Sequence, residues 1–157
     1  NINLENNETV TIDNVTGTYY VVVKACDKAG NCQTTASNAF NVDNSAPTIT
    51  YDPAGSSTYK KSHNVRISAN ANTGDIATIK YIVSDDTSAT PDTDIENGGV
   101  VNIINKSGTY YVITEACDSA GNCRTLVSNP FNFDNEAPTI SFVANGNTTY
   151  FPFTFNS

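Results

Sequence analysis

The sequence contains a long internal repeat. One copy starts at Val15 and reads VTGTYYVVVKACDKAGNCQTTASNAFNVDNSAPTITY, and the other starts at Lys106 and reads KSGTYYVITEACDSAGNCRTLVSNPFNFDNEAPTISF. Each residue of the second copy lies 91 positions after its counterpart, as Cys117 does after Cys26, and no gap is needed. Because this period is the size of one small sandwich domain, the repeat predicts a tandem array of such domains.

The repeat also predicts the domain boundaries. The matching segments DNSAPT, from Asp43, and DNEAPT, from Asp134, each close one unit and open the next. We therefore predict the C-terminal half of a unit in residues 1–44, a complete unit in residues 45–135 and the first strands of a further unit in residues 136–157. Half a sandwich cannot bury its own core, so we expect the partial units to be completed, either by further chain or by strands from a neighbouring subunit.

The complete unit has the pattern of an all-β fold. Valine, isoleucine, tyrosine, phenylalanine and threonine are frequent, and no stretch shows helical periodicity. A turn-rich stretch over residues 84–99 interrupts the strands. Alternation puts Val112, Thr114 and Ala116 on one face of a strand, and Glu115 marks the opposite face as the wetter one. Strands are predicted over residues 46–52, 64–69, 77–83, 99–104, 108–117 and 123–133.

Motifs beside the cysteines and at the boundaries resemble those of a known family. Asp27 to Asn31 and Asp118 to Asn122 match the pattern D-x-A-G-N, and Asp43 to Pro47 and Asp134 to Pro138 match D-x-x-A-P. These segments resemble the bacterial immunoglobulin-like repeats of large surface adhesins, in which the first pattern is a hairpin and the second an inter-domain linker. The resemblance implies tandem immunoglobulin-like β-sandwiches with an extracellular, structural or adhesive role. The chain departs from the usual pattern in having cysteines on both sides of the hairpin turn.

The four cysteines form two local pairs, Cys26 with Cys32 and Cys117 with Cys123, and each pair flanks a five-residue turn. Positions that face each other across an antiparallel hairpin are close enough for a disulfide. Structural zinc sites favour shorter cysteine spacings, and two free thiols would be exposed next to each other. We therefore favour two disulfides, and with them an oxidising, extracellular location.

Acidic residues are expected to meet at the junction between the first two repeats. In an immunoglobulin-like sandwich, the loops that join strands two and three and strands six and seven lie at the end that faces the preceding linker. These loops carry Asp75 and Asp118, and the linker carries Asp43 and Asn44. Oxygen ligands of this kind suit Ca²⁺, and the resemblance to adhesins implies that calcium stiffens the junction.

The alternative interpretation is that the same residues form turns. Aspartate and asparagine are common in turns because they hydrogen-bond their own backbone, and Gly121 or Asn122 would then have a positive φ. A second acidic group lies in the turn-rich stretch, at Asp85, Asp86, Asp92 and Asp94. Its spacing matches no EF-hand, so it is interpreted as a solvated loop. The single histidine, His63, begins a strand and is interpreted as an ordinary surface residue.

The net charge and the motifs that are absent exclude several classes of function. Sixteen acidic against eight basic residues give a net charge of −8, so nucleic acid and anionic membranes are poor partners. No apolar run has the length of a membrane span, and no catalytic motif is present. Together with these observations, the resemblance to surface adhesins implies a non-enzymatic spacer in a bacterial surface protein or filament, which contacts neighbouring repeats and for which other subunits of a surface assembly are candidate partners. The alternatives are a carbohydrate- or host-protein-binding module, for which the aromatic residues 149–155 are a candidate, and an accessory domain of a secreted enzyme.

Overall fold

The computed structural model describes residues 3–5 and 7–141, and all regular structure in them is β-strand. Most of the predicted third unit, residues 142–157, lies outside the described residues. The strands are β1 (Gly17–Tyr19), β2 (Val22–Cys26), β3 (Cys32–Ala36), β4 (Phe40–Val42), β5 (Thr48–Asp52), β6 (Ser56–Lys60), β7 (Ser62–Asn70), β8 (Ile76–Ser84), β9 (Thr93–Asp94), β10 (Val100–Ile104), β11 (Gly108–Asp118), β12 (Cys123–Val127) and β13 (Phe131–Phe133).

The strands of the complete unit form two sheets. One has the order β10-β7-β5, and the other has the order β6-β13-β11-β8-β9, with β12 also paired to β11. Buried residues of both sheets belong to one hydrophobic core, so the sheets pack face to face. This is the arrangement of an immunoglobulin-like β-sandwich, and it confirms the predicted all-β fold class.

The core follows from alternation along the strands. In β7 every second residue from His63 to Ala69 is buried. In β11 the residues Val112, Thr114 and Ala116 are fully buried, on the face that alternation predicted. Each apolar side chain of Val or Ile size that is buried in this way stabilises the fold by about 1.5–3 kcal/mol.

His63 is a core residue, which corrects the surface position expected from the sequence. Its exposed fraction is 5%, and its ring centroid lies 5.2 Å from that of Phe131 and 4.9 Å from that of Phe133. The Nε2 atom lies 3.0 Å from the backbone oxygen of Asn132. That hydrogen bond satisfies a polar atom whose burial would otherwise be unfavourable. His63 is in phase with Val65, so the alternation of β7 extends one step further back than predicted.

The first repeat has the same strand pairs as the end of the complete unit. β1 pairs with β4 and β2 pairs with β3, just as successive parts of β11 pair with β13 and β12. The strand registers are the same in both repeats once the offset of 91 residues is applied. Gly17 faces Val42 in the first repeat, and their counterparts Gly108 and Phe133 face each other in the second. The repeated sequence therefore folds into a repeated structure.

Two strands and one break differ from the predicted pattern. The strands β6 and β9 lie in segments rich in serine, threonine and aspartate, residue types that favour turns. The predicted strand over residues 123–133 is divided into β12 and β13 at Ser128. Its hydroxyl accepts the Val112 N–H at 2.9 Å and donates to the Asn129 carbonyl at 2.8 Å. Pro130, which has no N–H to donate to a ladder, falls in the resulting gap.

Candidate functional site: the junction between the repeats

The turn between β11 and β12 is built on the carboxylate of Asp118. Its Oδ1 accepts the backbone N–H groups of Ala120 and Asn122, each at 2.9 Å, and its Oδ2 accepts the side-chain amide of Asn122 at 3.0 Å. Gly121 has a φ of 89°, a conformation that glycine adopts without steric cost. The motif is thus a hairpin turn of the kind that the alternative interpretation describes.

Hydrogen bonding stabilises the ionised form of this carboxyl group. The side-chain amide of Asn122 is the main cause of a pKa of Asp118 below the ordinary value of 3.8, and burial opposes it. Asp27 in the first repeat makes the same bonds to Ala29 and Asn31, and the Asn31 side chain likewise lowers the pKa of Asp27. The turn is therefore a repeated structural unit.

The two copies of the turn differ in what lies against them. Asp27 is exposed, whereas only 2% of Asp118 is accessible to solvent. The second turn contacts both the preceding linker and the loop between β7 and β8. No hydrogen bond in the described part of the chain joins the first turn to another loop or to a linker.

Asp43 joins the linker to the second repeat. Its backbone carbonyl accepts the side-chain amide of Asn122 at 3.1 Å, and its Oδ2 accepts the hydroxyl of Thr73 in the β7–β8 loop. Its Oδ1 accepts the Ser45 N–H at 2.9 Å, which orients the carboxylate. One linker residue is thus bonded to two loops of the domain that follows it.

Asn44 joins the linker to the first repeat. Its backbone N–H donates to Thr16 Oγ1 at 3.0 Å, and its side-chain amide donates to the Val15 carbonyl at 2.7 Å. The next linker repeats this contact, because the side-chain amide of Asn135 donates to the Lys106 carbonyl at 2.5 Å. Adjacent linker residues therefore contact opposite domains.

The two loops that face the linker are also bonded to each other. The Ser119 N–H donates to the Asp75 carbonyl at 2.9 Å, and the Asp75 N–H lies 3.5 Å from Ser119 Oγ. Gly74 has a φ of +70°, and a Cβ atom at this position would lie 2.7 Å from Ser119 Oγ. Glycine therefore allows the close approach of the β7–β8 loop to the hairpin turn.

The four predicted calcium ligands are brought together only in part. The oxygens of Asp43 and Asp118 accept N–H and O–H groups, Asn44 directs its amide toward the first repeat, and Asp75 is exposed. In the described part of the chain, no three His, Cys, Asp or Glu side chains are placed to hold a metal ion. As placed, these residues do not fit a calcium ion, and calcium at this junction stays a prediction.

Both predicted disulfides are confirmed. The bonds Cys26–Cys32 and Cys117–Cys123 join directly opposed residues of the two hairpins, whose Cα atoms are 4.0 Å and 4.1 Å apart. All four cysteines are therefore bonded. The first cysteine of each disulfide directly precedes the aspartate that organises the turn, and the second cysteine directly follows the turn. The disulfide and the hydrogen bonds of the aspartate therefore constrain the same loop.

The second acidic group makes turn and surface contacts. Asp94 forms an ion pair with Lys80, with Oδ1 and Nζ 3.2 Å apart. Asp86 accepts the backbone N–H and the hydroxyl of Ser88 at 2.8 Å and 2.7 Å, and the Ser88 side chain is the main cause of a lowered pKa of Asp86. These contacts agree with the interpretation of a solvated loop.

Thr73 is the junction residue that sequence reasoning missed. Its position in the repeat has no second copy within the chain, so the repeat comparison does not mark it. Asn122, by contrast, belongs to the repeated D-x-A-G-N motif, although the motif does not reveal its bond to the linker.

No protein-family model matches the chain, and no curated protein matches it significantly. Among solved structures, the fibronectin(III)-like modules of CbhA from Clostridium thermocellum align with 81% of this chain and 69% of that chain, at 13% identity and a TM-score of 0.45. Where the chain is described, it contains no helix with the length and hydrophobicity of a membrane span. The fold assignment rests on the sheets and the core.

Proposed function

We propose that this chain is part of a stiff, non-catalytic spacer of tandem immunoglobulin-like repeats in an extracellular bacterial surface protein or filament. The repeated strand pairs support an array, because each unit reproduces the same register. The two disulfides support an oxidising location outside the cytoplasm. The net charge of −8 favours solubility of such an array at a surface.

The main support for this proposal is that the linker is hydrogen-bonded to both repeats. Asp43 is bonded to the second repeat and Asn44 to the first, so rotation about the linker breaks the hydrogen bonds of one or the other. Pro47, which follows them, is fully buried and has a fixed φ. Linkers without such contacts leave neighbouring domains free to reorient. This junction therefore resists bending.

Relaxation of backbone ¹⁵N nuclei in the whole chain tests the stiffness. We expect the strands of the two repeats to share one rotational correlation time. Combining Thr73→Val with Asn122→Ala removes the linker's side-chain contacts with the second repeat, and the first repeat should then tumble faster. Asn31→Ala is the matched control, because it removes the equivalent turn bond of a turn that has no hydrogen bond to a linker within the described residues. Separate correlation times in the unaltered chain would contradict the proposal.

Stiffness in this proposal does not depend on calcium. The hydrogen bonds of Asp43 and Asn44 hold the linker without a metal ion. Measuring the melting temperature at increasing calcium concentrations distinguishes a calcium ion from the hydrogen bonds as the restraint on the linker. A rise in melting temperature that Asp118→Ala removes would assign the junction a metal role. An unchanged melting temperature would leave the hydrogen bonds as the restraint.

A binding role is the alternative function class. The aromatic residues 149–155, which suggested it, lie outside the described residues. Phe40 is 48% exposed in the first repeat, but its counterpart Phe131 is fully buried in the second. In the described residues the first repeat has only the strands β1 to β4, so the exposure of Phe40 is not evidence for a ligand site. A glycan array with the whole chain tests the alternative directly, and saturable binding would favour it.

A further inference from the structure

The strand β10 has a free edge along one side of the complete unit. It is the outermost strand of the sheet β10-β7-β5, and within the described residues it pairs only with β7. The Ile67 N–H donates to the Gly99 carbonyl at 2.9 Å, so every second residue after Gly99 directs its backbone groups toward β7. The backbone groups of Val100, Asn102 and Ile104 therefore point away from β7, and no other element of the described chain pairs with them.

Two large apolar side chains lie on the outer face of this edge strand. Val100 is 51% exposed and Ile104 is 52% exposed, whereas Val101 and Ile103 are buried in the core. Edge strands of soluble proteins are commonly protected from other strands by a charge, a proline or a bulge. The strand β10 has no charged residue and no proline, and its register with β7 is unbroken. Its edge is therefore open to pairing with a further strand.

The first repeat has a different sequence at the same outward positions. With the offset of 91 residues, β10 corresponds to residues 9–13, and the residues that follow, Asn14 and Asn105, both have a positive φ, of 53° and 56°. The inward positions are apolar in both repeats. The outward positions of the first repeat are Thr9, Thr11 and Asp13. The repeat pattern thus preserves only the inward apolar residues, so the core does not account for Val100 and Ile104.

The sequence of β10, VVNII, matches itself when it is reversed about Asn102. In an antiparallel pair of two copies with a two-fold axis at Asn102, Val100 faces Ile104 of the second copy and Asn102 faces its own counterpart. This register pairs the free backbone groups and places apolar side chains opposite apolar ones. No like charges meet, although each chain has a net charge of −8.

We propose that β10 is a self-association edge, at which two copies of the complete unit pair antiparallel about Asn102. The sheets β10-β7-β5 of the two copies then form one continuous sheet. The linker is bonded to the β7–β8 loop and to the turn between β11 and β12, whereas β10 is bonded along its length to β7. Pairing through β10 therefore joins chains side by side and leaves the linker bonds in place. This lateral contact is additional to the spacer function.

Single cysteines introduced along β10 test the register on the whole chain. The four natural cysteines are bonded in disulfides, so an introduced cysteine is the only free thiol. We expect Asn102→Cys to form a disulfide-linked dimer, because directly facing residues of an antiparallel pair are close enough to bridge. Val100→Cys alone should not crosslink, but a mixture of Val100→Cys and Ile104→Cys should. Thr125→Cys, at an exposed position in β12, is the control and should not crosslink.

Sedimentation equilibrium of the whole chain measures the strength of the pairing. Val100→Thr combined with Ile104→Asp gives the edge the residues of the first repeat. We expect this variant to dimerise about two- to thirtyfold more weakly, the range set by two cross-strand pairs. Val127→Ala is the matched control, because it replaces an exposed apolar residue of β12 with its counterpart in the first repeat, and should leave dimerisation unchanged. Equal melting temperatures at low protein concentration would show that both variants fold.

Three results would overturn the inference. A chain that stays monomeric at the highest soluble concentration would exclude self-association. Dimers that weaken in Val127→Ala but not in the variant of Val100 and Ile104 would place the contact at β12. Equal crosslinking of Asn102→Cys and Thr125→Cys would indicate random collision instead of strand pairing. None of these results concerns the bonds of the linker, so the spacer function is tested separately.

Discussion

The side-chain amide of Asn122 donates to the backbone carbonyl of Asp43, 79 residues earlier in the chain, at 3.1 Å. The same amide donates to the carboxylate of Asp118 at 3.0 Å. A single side chain therefore both closes the hairpin turn and binds the preceding linker. The turn has the same form in both repeats, whereas within the described residues only the second copy contacts a linker.

Replacing Asn122 with alanine should destabilise the complete unit by about 2 kcal/mol, because one bond to a charged acceptor and one to a neutral acceptor are lost. Urea unfolding of the whole chain measures this loss. Asn31→Ala is the matched control, since Asn31 makes the same turn bonds in the first repeat. We expect it to leave the unfolding transition of the complete unit unchanged. Equal losses in both variants would contradict a role for Asn122 at the junction.

Acid should weaken the complete unit through Asp118. The folded-state pKa of this carboxyl lies below its ordinary value of 3.8, so its ionised form stabilises the fold. That stabilisation is fully present above the unfolded-state pKa and is lost as the pH falls through the lower folded-state pKa. We expect the melting temperature to fall more steeply below about pH 5 in the unaltered chain than in Asp118→Asn, which has no group to titrate there. Parallel curves would contradict this, and Asp27→Asn should leave the pH dependence of the complete unit unchanged.

Much of the fold was predictable because the local patterns agree with the tertiary structure. Alternation placed Val112, Thr114 and Ala116 in the core, and the spacing of the cysteines placed both disulfides. These features depend on residues that are near neighbours in the sequence or directly opposite in a hairpin. The same is true of the turn that Asp118 organises.

The contacts between domains were less predictable because they join residues far apart in the sequence. Topology brought Asp43 and Asp118 to one end of the domain, but it did not specify that Thr73 would bind the Asp43 carboxylate. Nor did it specify that Asn44 would turn toward the first repeat. His63 shows a related limit, because its burial depends on the Asn132 carbonyl of β13, which accepts a hydrogen bond from its ring Nε2.

Thr114→Val should stabilise the complete unit by about 1 kcal/mol, because it removes a buried polar group that has no partner. The Thr114 hydroxyl is buried and has no hydrogen bond of good geometry in the described residues. The neighbouring Tyr51 hydroxyl, whose pKa is raised by burial and partly lowered again by Thr114, donates to the Leu126 carbonyl instead. Its counterpart in the first repeat is Val23, so valine already occurs at this position of the repeat. Thr125→Val, at an exposed position in β12, is the control and should change the unfolding free energy much less. A loss of stability in Thr114→Val would show that the hydroxyl has a partner after all.

Removing the second disulfide with Cys117→Ala and Cys123→Ala should cost the complete unit about 2 kcal/mol, the effect expected for closing so short a loop. The hydrogen bonds of Asp118 remain in this variant, so the turn should keep its form while its amides exchange faster with solvent. Urea unfolding and hydrogen exchange measure the two effects. The pair Cys26→Ala and Cys32→Ala is the matched control, because it opens the equivalent loop in the first repeat and should leave the transition of the complete unit unchanged. If both double variants lowered that transition equally, the disulfides would act through something other than the turn that each one closes.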